Sequence, residues 1–279
     1  MIKPLLQDAA FLEDVLRAKQ SAEQLHLWWL GQSGFLIQWE GYHLLIDPYL
    51  SDSLTKKYAG TNKPHVRMTE RLIAPERLDF VDVVTSSHNH TDHLDGETLI
   101  PLSKANPDLT ILVSGANVQF AAERVQVSPE RITPIHADGE SVSIPPFLFH
   151  AIPSAHESLE QDENGDQRFI GLIIQIGKWT VYHSGDCVPF DGLAERLKSW
   201  KIDLALLPIN GRDPARGVAG NFTAEEAVQL GKDIRAGSVI PCHYEMFDFH
   251  TISPELFIQK AEEANQPYNV LNCGERLDL

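Results

Sequence analysis

Apolar residues recur along this chain with two different periods. Between Asp8 and Gln20 they fall at Phe11, Leu12, Val15 and Leu16, the spacing of an amphipathic helix that docks on a core or on a neighbouring subunit. Three strand-like runs follow closely, Leu25 to Leu30, Gly34 to Trp39 and Tyr42 to Ile46. The short polar interruptions Gly31-Gln-Ser33 and Glu40-Gly41 predict an antiparallel meander. Residues 51 to 70 are polar and lack a period, so a long loop is expected there, of the kind that borders a pocket.

Beyond residue 80 the two periods alternate. Phe80-Val-Asp-Val-Val-Thr85 reads as a buried strand, and Gly96-Glu-Thr-Leu-Ile-Pro-Leu opens a helix. Further strands are predicted at Leu109 to Val113, Ser141 to Pro145, Phe147 to Ile152, Phe169 to Ile176, Trp179 to His183, Leu204 to Pro208 and Ser238 to Pro241. Helical stretches lie around 116 to 125, 189 to 200, Thr223 to Arg235 and Pro254 to Asn265, the third opened by a capping-box pattern at Thr223-Ala-Glu-Glu. The class is mixed α/β. No repeat, low-complexity segment or long linker divides the chain, which predicts one domain over residues 1–279 with a helical extension at 1–24. Glu157 to Asp166 is acidic and reads as an exposed loop.

Composition narrows the possible partners. With 279 residues, 43% of them hydrophobic, the chain can bury a sizeable core. A formal charge of −16 repels phosphate backbones and anionic bilayers, so neither nucleic acid nor a membrane is an expected partner. The sequence shows no signal-peptide pattern and no run long enough to span a bilayer, and a cytoplasmic location is expected. Cys187, Cys242 and Cys273 have no paired spacing and read as small buried residues.

Candidate chemistry concentrates after the strand at 80 to 85. His88-x-His90-x-Asp92-His93 places three imidazoles and a carboxylate within six positions, a density that points to metal ligation. A polar cap would need only one of the nearby carboxylates, Asp92 or Asp95, and would leave the histidines unexplained. His88 and His90 can face one way and Asp92 and His93 another, so one loop can serve two metals. Three later strand ends carry further candidates: His156 after Ala151-Ile-Pro-Ser-Ala, Asp186 after Tyr182-His-Ser-Gly, and His243 after Val239-Ile-Pro-Cys. Taken singly, His156 reads as a surface histidine, Asp186 as a turn residue and His243 as a packed one.

The order of these residues resembles the metallo-β-lactamase superfamily from about residue 26 to the end. The resemblance implies an α/β four-layer αβ/βα sandwich with two divalent metal ions at one edge. It implies that His88, His90 and His156 hold one ion, that Asp92, His93 and His243 hold the other, and that Asp186 bridges them. Asp47, which ends Leu44-Leu-Ile, matches an early Asp that supports the site without being a main ligand. Trp28-Trp-Leu-Gly, Ser87-His-Asn-His-x-Asp-His-Leu-Asp95, Val181-Tyr-His-Ser-Gly-Asp186 and Val239-Ile-Pro-x-His243 are similar to L-ascorbate-6-phosphate lactonase and its relatives. The first loop also resembles N-acyl-phosphatidylethanolamine phospholipase D, a phosphodiesterase.

These resemblances imply a metal-dependent hydrolase acting on a small-molecule substrate, a lactone such as a phosphorylated sugar-acid lactone. A phosphodiesterase and a non-catalytic, metal-binding regulatory protein are the alternatives, and the second would be marked by a lost ligand. Asp92 is the expected catalytic residue, orienting the nucleophile. Candidate substrate contacts are His183, as an oxyanion donor, and Arg212 and Arg216, as a phosphate grip in the Gly-rich segment from Asn210 to Gly217. The loops at 48–70 and 157–168 are expected to line the pocket. Imidazole and carboxylate without thiolate suit zinc or manganese. Iron is less favoured, because the oxygen-reducing di-iron branch resembles a His-x-Glu-x-Asp pattern and this chain has His90 in the middle. The N-terminal helix is a candidate homo-oligomer contact.

Overall fold

A computed structural model describes residues 1–213, 218 and 220–279. The predicted meander forms as β1 (His26–Gly31), β2 (Gly34–Trp39) and β3 (Tyr42–Ile46), paired antiparallel in register Leu27 to Ile37 and Ile37 to Leu44. The sheet then turns parallel through β4 (Val83–Ser86), β5 (Thr110–Ser114) and β6 (Ile132–Ile135). Parallel neighbours need a crossover. The helices that follow β4 and β5 supply it.

A second sheet contains β7 (Val142–Ile144), β8 (Phe147–Pro153), β9 (Ile170–Ile176), β10 (Trp179–His183), β11 (Leu204–Pro208) and β12 (Ser238–Cys242). Its pairs are antiparallel from β7 to β10 and parallel from β10 to β12. The last strand, β13 (Arg276–Asp278), closes the first sheet against β1. Both sheets are therefore mixed, of seven and six strands. The central strands are buried on both faces, which explains why β1, β9 and β11 read as nearly continuous apolar runs.

Seven α-helices flank the sheets among the described residues: α1 (Asp8–Ala18), α2 (Ser53–Lys57), α3 (Gly96–Ala105), α4 (Val118–Val125), α5 (Leu193–Lys198), α6 (Ala224–Asp233) and α7 (Glu255–Ala264). None is long and apolar enough to cross a membrane. Helix α1 docks on the chain's own core through Phe11 and Val15, and its buried Asp14 accepts from the Trp28 indole N–H at 3.0 Å. Thr223 and Glu226 complete the capping box of α6.

The differences from the sequence reading have local causes. The first helix ends at Ala18 and tightens into a 3₁₀ turn at Lys19–Ser21. The stretch 189 to 200 is helical only as α5, because Gly192 has φ +90 and stops the helix from extending backwards. The expected loop at 51 to 70 holds the short α2. Strands β6 and β13 escaped prediction, being short segments whose pairing depends on distant neighbours.

Candidate metal centre

Every residue of the candidate site sits where a strand runs out. Asp47 follows β3, His88 to His93 follow β4, His156 follows β8, Asp186 follows β10 and His243 follows β12. The carboxyl ends of parallel strands open a crevice that no ladder hydrogen bond fills. The loop after β4 is anchored at both ends. Asp95 caps α3, accepting from the Glu97 N–H at 3.3 Å and the Thr98 hydroxyl at 2.6 Å, so it is Asp95 that serves as the cap and Asp92 that is left for the crevice. From the other side, Arg124 of α4 donates to the carbonyls of Asn89 at 3.0 Å and Leu94 at 3.2 Å.

The loops are pressed together closely. A Cβ on Gly185 would meet Ser87 Cβ at 2.7 Å, and the residue sits at φ +60, so glycine alone suits the turn that delivers Asp186. The Ser154 hydroxyl lies within hydrogen-bond reach of the carbonyls of Ser184 at 2.9 Å and Asp186 at 3.0 Å, tying the ends of β8 and β10. Three non-glycine residues at the centre also hold left-handed backbone: Gln32 at φ 51, Asp47 at φ 43 and His243 at φ 64. Such conformations persist only where surrounding contacts over-determine them, and they cluster at functional sites.

The seven candidate ligands converge in two groups around Asp186. On one side the rings of His88 and His90 lie 4.6 Å apart and those of His90 and His156 4.7 Å apart, backed by Phe169 at 4.9 Å from His88. His88, His90 and Asp186 present donor atoms within 4.8 Å of one another, as do Asp92, His93 and His243. Asp186 reaches both sides: its Oδ1 is 3.2 Å from His93 Nε2, and its Oδ2 is 3.5 Å from His243 Nε2 and 3.8 Å from His156 Nε2.

Asp47 groups with His88 and His93 by distance alone. Its oxygens are already engaged, however. They accept from the Ser87 N–H at 2.9 Å, from the Ser87 hydroxyl and from His93 Nδ1 at 2.6 Å. Asp47 therefore orients His93, leaving Nε2 to face Asp92 and Asp186.

The donor chemistry fits divalent cations. His88 Nε2, His93 Nε2 and Asp186 Oδ1 are buried with no hydrogen-bond partner, and the 3.2 Å approach of the last two lacks hydrogen-bond alignment. An unsatisfied buried polar atom costs about 1–3 kcal/mol. A cation removes that cost at all three. Burial, with help from His93 and His90, holds His88 well below the usual imidazole range and so keeps it a neutral donor. At His243 burial acts in the same sense but is outweighed by the Asp186 and Asp92 carboxylates, which lift it to about 9. Burial also opposes ionisation of Asp92, yet His93 and His243 hold that carboxyl well below its ordinary value. Cys187 and Cys242 flank Asp186 and His243, but burial pushes the Cys187 thiol up to about 11 and also raises the Cys242 thiol well above its ordinary value. Among the described residues neither joins a group of converging candidate ligands.

A cavity of about 360 Å³ opens over this cluster. His90, Asp92, His156, Asp186 and His243 line one part, and Tyr58, His65, Phe249 and His250 another. The segment 51 to 70 does border the pocket, whereas no residue of 157–168 lines it.

Two of the expected substrate contacts lie elsewhere. His183 is 1% exposed, with Nε2 3.1 Å from the Ser33 carbonyl and Nδ1 accepting from the Gly185 N–H at 3.2 Å, so both ring nitrogens are committed to backbone. Arg212 forms a bidentate pair with Glu226 at 2.6 and 2.7 Å, beside a separate depression lined by Val188 and Gly220. Arg216 lies outside the described residues.

The sequence reading also missed neighbours of the cluster. The Gln32 amide nitrogen, in the turn between β1 and β2, lies 2.8 Å from Asp92 Oδ2 and 2.9 Å from His243 Nε2. His65 and His250, with ring centres 5.0 Å apart, carried no motif that could have revealed them.

Comparison with known proteins agrees with this geometry. The model of the family described as "Beta-lactamase superfamily domain" matches residues 42–244. A UPF0173 metal-dependent hydrolase of Saccharolobus solfataricus is 27% identical over 260 residues, covering 90% of this chain and 98% of that protein. Among solved structures, a possible metal-dependent hydrolase from Veillonella parvula superposes with a TM-score of 0.71 at 18% identity, over 92% of this chain and 98% of that one. Igni18, a metallo hydrolase from Ignicoccus hospitalis, gives 0.66 at 22% identity, over 92% and 98%. These structural likenesses establish the fold, and the family match spans well over half of the sequence. The chain belongs to the β-lactamase superfamily domain family and has the metallo-β-lactamase fold.

Proposed function

We propose that this chain, a metal-dependent hydrolase of the metallo-β-lactamase fold, opens a small lactone in the cavity above Asp92 and Asp186. The observation that carries the reading is the convergence of buried donor atoms without hydrogen-bond partners, from His88, His93 and Asp186, at the Asp186 carboxylate that lines that cavity. His88, His90 and His156 would hold one cation, Asp92, His93 and His243 a second, and Asp186 would serve both. Divalent cations at these positions would supply Lewis acidity, activating water near neutral pH and polarising a substrate oxygen.

The protein's own groups supply position and proton handling. Asp92 faces the cavity and is fixed by the Gln32 amide at 2.8 Å, so it is placed to orient the attacking water and accept its proton. Asp47 fixes the tautomer of His93. A volume of about 360 Å³ suits a small molecule and would not admit a macromolecule. The resemblance of four motifs to the lactonase branch favours a carbonyl centre, and the donor set without thiolate favours zinc or manganese. A small soluble substrate, in place of an anionic bilayer, is in keeping with the charge of −16, and the cytoplasm is the expected setting.

The resemblance of the β4 loop to a phosphodiesterase keeps a phosphodiester as the second reading. Chelated protein reconstituted separately with Mn²⁺ and with Zn²⁺, then assayed on a lactone, a phosphodiester and a β-lactam, separates them. Lactone turnover with either metal supports the first reading. Turnover of the phosphodiester alone replaces it, and inactivity on all three would favour a non-catalytic role.

A further inference from the structure

The chain carries 39 acidic and 23 basic residues, so a cavity wall drawn at random from it would be acidic. The wall over the candidate metal centre is the reverse. Among the described residues its Lys and Arg side chains are Lys57, Lys63 and Arg124, and its carboxylates are Asp92 and Asp186, both among the candidate ligands. Cations bound there would neutralise those two and leave the cavity strongly positive.

Two of the basic groups reach the ligand loop from different helices and line the same cavity. Lys57, at the end of α2, brings its ammonium 3.4 Å from the Thr91 hydroxyl, and Arg124 reaches the same loop from α4 through the carbonyls of Asn89 and Leu94. Neither pairs with a carboxylate among the described residues, although neighbouring cations do: Lys56 pairs with Glu97 at 2.7 Å and Arg67 with Asp52 at 2.8 Å. Among the described residues one terminal nitrogen of Arg124 is engaged, stacked as the guanidinium is over Phe120 at 4.3 Å, so further N–H donors face no described partner. An ammonium and a planar guanidinium lining one cavity and contacting one loop form a site for a phosphate or carboxylate.

We infer that the substrate carries an anionic substituent, a phosphate or carboxylate, held by Lys57 and Arg124 while its reacting carbonyl lies over Asp92. This assignment rests on the lactonase reading for the carbonyl, but the anion site itself does not. It moves the phosphate grip expected at Arg212 onto Lys57 of α2 and Arg124 of α4. Charge-assisted contacts of this kind weaken with ionic strength, and a selectivity for anions built on them should do the same.

The test compares phosphogluconolactone, glucarolactone and gluconolactone, which differ in bearing a phosphate, a carboxylate or neither. In the wild-type protein kcat/KM for at least one anionic lactone should exceed that for gluconolactone. Lys57→Gln should lower that ratio about tenfold. Arg124→Gln should act in the same direction, and Lys56→Gln, outside the cavity, should leave the ratio as it is. Which anionic lactone responds identifies the substituent. Calorimetric binding of glucose 6-phosphate, glucuronate and glucose to the metal-loaded protein, which bear a phosphate, a carboxylate or neither, gives a readout independent of turnover, and Lys57→Gln should erase most of the preference there too.

If no lactone is hydrolysed, the lactonase reading falls and calorimetry alone judges the anion site. An anion preference that persists undiminished in the Lys57→Gln/Arg124→Gln double variant would belong to the metals and would overturn the inference. So would the absence of any preference in the wild-type protein. Lys57 is exposed, so its variant keeps the test decisive even if loss of Arg124 disturbs the loop.

Discussion

Replacing Asp47 by Asn tests the site at its most buried support. Asp47 is 0% exposed and its carboxylate receives three contacts, two from Ser87 and one from His93 Nδ1 at 2.6 Å. Its backbone lies at φ 43, a region that Asn tolerates as Asp does, so the substitution alters the side-chain charge with little added strain. A carboxylate only accepts, so whenever the His93 ring is neutral its proton sits on Nδ1 and Nε2 is left as a lone pair toward Asp186 and Asp92, the tautomer a cation requires. An amide can donate or accept, and that tautomer control is lost.

Exchanging a hydrogen bond to a charged group for a neutral one gives up about 1–1.5 kcal/mol. Loss of an orienting partner of this kind lowers metal affinity about 10- to 100-fold. The assay is competition with a chromophoric chelator, titrated with Mn²⁺ and Zn²⁺ separately. Asp47→Ala should also lower the stability of the chelated protein by about 1–3 kcal/mol, because the buried Ser87 N–H loses its acceptor. Wild-type affinity of the Asn variant for both ions would refute the idea that Asp47 orients a ligand.

Asp92→Asn should lower kcat by orders of magnitude, measured on whichever substrate the reconstituted protein turns over; full activity would remove Asp92 from the mechanism. Gln32→Asn keeps a side chain suited to φ 51 but shortens the reach to Asp92, so kcat should drop about 10- to 100-fold with the fold intact by circular dichroism. Metal uptake by the chelated protein should release protons, because the Asp186 and Asp92 carboxylates overcome burial to raise His243 to about 9 and a cation takes only the neutral ring. Affinity should therefore rise with pH up to about 9. The stability that the raised His243 gives the chelated protein runs the other way. It is full below the ordinary imidazole value of about 6.5 and is lost as pH climbs through about 9, a trend that thermal melts at several pH values would show.

Much of this molecule could be read from local pattern. Helices α1, α4, α6 and α7 and strands β1 to β3, β9 and β10 are set by apolar period, β-branching and turn residues, which act over a few positions. The ligand loop could be read for the same reason, since His88, His90, Asp92 and His93 are neighbours in the chain. His156, Asp186 and His243 took their meaning from order and strand-end position, through resemblance to a known family. What lay beyond reach depends on contacts between distant segments. Gln32 meets Asp92 across 60 positions and His243 across 211, and nothing in Gly31-Gln-Ser33 encodes that approach. Arg212 looked free as a loop arginine until the α6 capping box placed Glu226 against it, and His183 looked available until Ser33 and Gly185 took both its nitrogens. The cationic wall of Lys57 and Arg124 likewise exists only once α2 and α4 each bring a side chain to one loop. Ligand chemistry is a property of residue type and spacing. The shape and charge of a pocket come from surfaces that tertiary packing alone brings together.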